Sequence, residues 1–80
     1  MTRSEIVEIV NNFLVEEIEI EATLLEDARL KDDLGIDSLD FVDIVVIVER
    51  NFGFKIKAEE MVEVDTLGKF YDYIERKVNA

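Results

Sequence analysis

The chain has 80 residues, no cysteine and no histidine, and 20 acidic against 9 basic side chains give a net charge of −11. Residues 1–80 are enough for a single domain with one modest core, and that acidity excludes nucleic acid and anionic membrane surfaces as partners. The missing cysteines exclude disulfides and thiolate metal sites, and the missing histidine leaves any serine without its usual general base.

The chain opens MTRSEIVEIV, with charges where a secretory signal would carry an apolar run. No stretch reaches the roughly 18 apolar residues of a membrane span, so a cytoplasmic protein is expected. The first helix is predicted over residues 4–16, where Ile6, Ile9, Val10, Phe13 and Leu14 form one apolar stripe. Thr2 or Ser4 can cap it, and Glu5 and Glu8 suit its positive end.

A long connection follows over residues 17–36. Ile18 and Ile20 alternate with glutamates, and Leu24, Leu25, Leu30 and Leu34 follow. Twenty structureless residues are unusual in a compact domain, so these leucines are expected to pin the loop, with a short helical turn at most.

The second helix is predicted over residues 38–52, with Asp37 as N-cap and Gly53 as a left-handed stop. A competing reading takes the β-branched run Val45-Val46-Ile47-Val48 as a strand and RNFGFK as a turn. The helix is preferred because the two caps stand one common helix length apart and no second strand completes a sheet. Residues 57–61 read as one short extra turn. The last helix is predicted over residues 66–78, with Leu67, Phe70, Tyr71, Ile74 and Val78 in one stripe and Arg76 and Lys77 at the negative end. The expected fold is all-α: a small four-helix bundle of three main helices and one short one, with a long first loop.

The second helix carries too many apolar positions for one buried face. Leu39, Val42 and Val46 share one stripe, Phe41, Val45, Val48 and Phe52 another, and Ile44 with Ile47 widens the coverage. Some must be exposed or line a cavity. Asp37, Asp40, Asp43 and Glu49 run along the same helix, so an apolar docking surface with an acidic rim is expected. The alternative is a fully packed central helix.

The chemistry centres on the stretch DLGIDSLDFVD. Ser38 has no histidine to activate it, and Lys31 stands in an acidic loop that would keep it charged, so Ser38 is not a self-activated nucleophile and the protein is not expected to be an enzyme. The aspartates do not match a calcium-loop pattern, and no metal site is expected. That leaves Ser38 either as a plain first-turn helix residue or as a hydroxyl that another enzyme modifies, at a helix start where a phosphate would be favoured.

The residues L-G-I-Asp37-Ser38-Leu39-Asp40 resemble the prosthetic-group attachment motif of acyl carrier proteins. The resemblance extends over nearly the whole chain in length, acidity, helix pattern and long first loop. It implies that a phosphopantetheinyl transferase attaches 4′-phosphopantetheine, drawn from coenzyme A, to Ser38. It further implies that Asp37, Asp40 and Asp43 match the acids of the recognition surface, that Asp37 helps the transferase hold its metal, and that Leu39 and Val46 match apolar positions contacted by partners. Phe41 and Glu49 complete the expected docking surface. The implied partners are acyl-transferring, condensing and reducing enzymes with basic docking surfaces, meeting a monomeric carrier of fatty-acid or related lipid and polyketide intermediates. An acyl-chain cavity is expected around Val42, Val45, Val46, Met61 and Tyr71. Rival readings are an aminoacyl or D-alanyl carrier and an unmodified, calcium-responsive acidic adaptor. The sequence departs from the family pattern at Phe41, at Arg50 and Asn51 near the helix end, and at Lys55 and Lys57 around Ile56.

Overall fold

The computed structural model describes residues 1–79. Helix α1 spans Arg3–Glu16, α2 spans Ser38–Phe52 and α3 spans Leu67–Val78, with a single 3₁₀ turn at Ala58–Met61. The all-α expectation holds, and the run Val45–Val48 is helical despite its β-branched side chains. Its caps explain why. Asp37 Oδ1 accepts from the Asp40 N–H at 2.8 Å, and Asp40 Oδ2 accepts from the Asp37 N–H at 3.3 Å, a reciprocal capping box. At the other end Gly53 takes φ of 78° and its N–H donates to Glu49 O, which ends the helix in a left-handed turn.

Thr2 and Glu5 make the same box on α1: Thr2 Oγ1 accepts from the Glu5 N–H at 3.2 Å, and Glu5 Oε1 accepts from the Thr2 N–H at 2.8 Å. Thr66 caps α3 through its hydroxyl oxygen, which accepts from the Lys69 N–H at 3.3 Å. The three helices bury a common core. Ile6, Val10 and Leu14 come from α1, Ile44, Ile47 and Val48 from α2, and Leu67, Phe70 and Ile74 from α3.

The long connection is held by its backbone as well as by its side chains. Leu30 N–H donates to Asp65 O, Leu67 N–H to Ala28 O and Gly68 N–H to Glu26 O, all at 2.8–2.9 Å, stitching the loop to the start of α3. Leu34 is buried, Leu24 and Leu30 pack against the core, and Ala28 and Ile36 are buried beside them. Leu25 does not help pin the loop: it is 56% exposed, in the turn just before Ala28. The Arg3 guanidinium adds a tie at the surface, bridging Glu26 and Asp72 above the Tyr71 ring.

The 3₁₀ turn contributes no buried residue and has no side-chain cap. Glu60 fastens it to α3, accepting from the Tyr73 hydroxyl at 2.9 Å and from Lys77 Nζ at 2.7 Å. The bond from Lys77, then that from Tyr73, holds the Glu60 carboxyl below the usual carboxylate range. A depressed carboxyl stabilises the fold above its unfolded-state value near pH 4 and loses that contribution as pH falls through its folded value. Glu60→Gln is therefore expected to melt below the wild type at pH 7, with the gap narrowing as pH falls below the usual carboxylate range near 4. Thermal melts of both proteins across that range check it; a gap that does not depend on pH would contradict it.

Candidate functional site

Ser38 is the first residue of α2 and is exposed. The capping box joins Asp37 to Asp40 around it and leaves the Ser38 hydroxyl outside that exchange. The first turn of the helix directs backbone N–H groups and the positive end of the dipole toward this corner, which favours an attached phosphate.

Helical periodicity divides α2 into two sides. Leu39, Val42 and Val46 are 77%, 61% and 59% exposed, and Asp43, Glu49 and Arg50 share their arc. The inward side carries Ile44, Ile47 and Val48, with Phe41 and Val45 half-buried against the core. A helix otherwise well packed thus leaves three large apolar side chains in water among carboxylates. Asp40 is half-buried and tied into the cap, so Asp43 and Glu49 are the freer charges. Arg50 Nη2 meets Glu17 Oε1 at 2.8 Å, which ties the foot of α2 to the end of α1 and neutralises one acid there.

An apolar pocket of about 350 Å³ opens beside Ser38. Ile36, Ile44 and Phe70, all buried, border it together with Met61 and Val64 of the 3₁₀ region. Ser38, Asp37 and Lys31, all exposed, form a polar rim. Of the five residues expected to line an acyl cavity, only Met61 borders this pocket. Val42 and Val46 lie on the outward arc, where they are exposed. Val45 packs into the core off the pocket. Tyr71 is buried against α1, its hydroxyl donating to Asn11 Oδ1. Phe41, expected on the docking surface, instead lines the pocket. The helical spacing Ser38, Phe41, Ile44 at i, i+3, i+6 was the available signal, since it sets all three along one wall. Leu30, Ile36, Val64 and Phe70 join them only through tertiary packing.

Among the described residues, no group of three or more carboxylates is gathered to hold a metal ion, and no helix is long and apolar enough to cross a membrane. A small helical bundle that offers an exposed serine at a capped helix start, beside an apolar pocket and an acid-rimmed apolar face, defines a carrier domain. The family profile described as "Phosphopantetheine attachment site" matches residues 6–74. An acyl carrier protein of Thermotoga maritima is 38% identical over 78 residues, covering 96% of each chain. The chain belongs to the acyl carrier protein family, whose members carry intermediates and do not catalyse. Its cofactor is 4′-phosphopantetheine, and the site suits such a group: an accessible hydroxyl, a phosphate-favouring helix start and apolar space on the same rim.

Proposed function

We propose that Ser38 carries the 4′-phosphopantetheine arm and that the protein shuttles acyl groups between enzymes of fatty-acid or related lipid and polyketide synthesis in the cytoplasm, as a monomer. The observation that carries this reading is the position of Ser38, exposed at the start of α2 and on the rim of the apolar pocket. When bound, the arm supplies a terminal thiol that holds cargo as a thioester. The chain itself provides the rest. Asp37 and Asp40 fix the helix start, Leu39, Val42 and Val46 offer apolar contact, and Asp43 and Glu49 attract basic partners. Long-range charge attraction speeds encounter, while a small exposed patch keeps release fast.

Cargo class is tested by offering the loaded protein, in parallel, to a malonyl transferase of a dissociated fatty-acid system with malonyl-coenzyme A and to a D-alanine-activating ligase with ATP. Malonyl transfer without alanyl transfer is expected; the reverse would move the reading to an aminoacyl carrier. Acidic recognition is tested separately at Asp43, because Asp40 also caps the helix. Asp43→Lys is expected to slow modification by a transferase with a basic docking face roughly ten-fold at low salt, with the difference shrinking as salt rises. Equal rates at low salt would remove Asp43 from the docking surface.

A further inference from the structure

Phe41 stands out because its surroundings do not fit a docking residue. It follows Ser38 by three positions, is half-buried, and borders the same pocket as Ser38, Ile44 and Phe70. From Ser38 to Ile44 the helix rises about 9 Å, so serine, phenylalanine and isoleucine form successive steps down one wall. Ile44 and Phe70, 3% and 2% exposed, are buried side chains of this wall and floor, and Phe41, half-buried, sits one helical turn from Ser38 and one from Ile44 in the same lining.

We propose that Phe41 determines which acyl chains this protein shelters, its ring narrowing the pocket so that a straight chain of medium length fits and a long one does not. The inference rests on the carrier reading of Ser38, because an arm anchored at the pocket's rim can fold back and bring the chain on its terminal thiol into the pocket. The apolar lining suits a hydrocarbon chain, while Ser38, Asp37 and Lys31 keep the polar groups at the mouth. A methylene needs about the same space as a water molecule, ~30 Å³. The 350 Å³ pocket therefore accepts on the order of ten methylenes at most. Removing the ring frees room for about three or four more. A residue with a packing role alone would change stability without changing which chain is held.

The test loads wild type and Phe41→Ala at Ser38, using a broad-range transferase with butanoyl-, decanoyl-, tetradecanoyl- and hexadecanoyl-coenzyme A. Loading is first verified by intact mass, and each melt is referred to the unloaded form of the same protein. Wild type is expected to gain up to about 20–40 °C from butanoyl to decanoyl and nothing beyond, since buried methylenes stabilise only while they fit. Phe41→Ala is expected to go on gaining up to tetradecanoyl. Phe41→Leu keeps more of the packing and is expected to reach its limit between the two, so a poorly folded alanine variant does not remove the test. Identical chain-length limits in wild type and variants, or no dependence on length in wild type, would overturn the role of Phe41 while leaving the carrier reading intact. Failure of wild type to gain mass would remove the carrier reading, and this inference with it.

Discussion

Leu67→Ala is expected to leave the chain largely unfolded, or close to it, at 25 °C. Leu67 is fully buried, opens α3, and donates its backbone N–H to Ala28 O of the long loop at 2.9 Å. Truncating a buried leucine costs about 2–5 kcal/mol, because apolar transfer is lost and a cavity is left. A domain of this size without disulfides rarely draws more than about 3–5 kcal/mol from its core. The two magnitudes are comparable, so one side chain is enough to decide whether the bundle stands. Urea titration followed by circular dichroism measures it: the midpoint should approach zero denaturant. A loss below about 1 kcal/mol would mean that the site collapses around the gap and that Leu67 is not a keystone of the core.

Gly68→Ala should also destabilise, against the usual effect of replacing glycine in a helix. Alanine normally favours a helix by about 1 kcal/mol. Here a Cβ would fall 2.9 Å from Glu26 O and 3.2 Å from Glu26 Cβ. The carbonyl cannot easily yield, because it accepts from the Gly68 N–H at 2.8 Å and belongs to the same stitch as Ala28 O. Crowding of this kind costs about 1–3 kcal/mol, so it outweighs propensity. The expected result is a lower melting temperature, by about 4–8 °C for each kcal/mol lost. A variant more stable than wild type would show that the loop does not press on α3. The consequence reaches the functional site, since this loop delivers Leu30 and Ile36 to the pocket and then leads directly into Asp37 and Ser38.

What was legible in the sequence follows from how local each determinant is. The limits of α2 could be read because Asp37 and Gly53 act on backbone groups within one turn of themselves. That some apolar residues of α2 stay exposed was legible as a surplus, because one helix in a small bundle cannot bury every side; that Val42 and Val46 are among them, and not in a cavity, was not. The loop was legible only in part. Leu34 turns inward and Leu25 outward although both are leucines, because the turns between them are fixed by hydrogen bonds to α3 that leave no periodic trace. The burial of Tyr73 escaped notice for a related reason. It lies off the main stripe of α3 and is covered by Phe54 and Glu60 from the neighbouring segment. Val42, Val45, Val46 and Tyr71 do not border the pocket beside Ser38, because apolar character alone does not say which side of α2 faces inward. The burial of Ile44, Ile47 and Val48 settles that, and it turns Phe41 toward the pocket and Val42 and Val46 toward water.

The central claim is that Ser38 is a handle for another enzyme. Incubation of the wild type and Ser38→Ala with coenzyme A, magnesium and a broad-range phosphopantetheinyl transferase, followed by intact mass, tests it most directly. The account predicts a gain of one phosphopantetheine in the wild type and none in Ser38→Ala, with both proteins folded by circular dichroism. An unmodified wild type under conditions that convert another acyl carrier protein, or a Ser38→Ala variant that still gains the group, would contradict it.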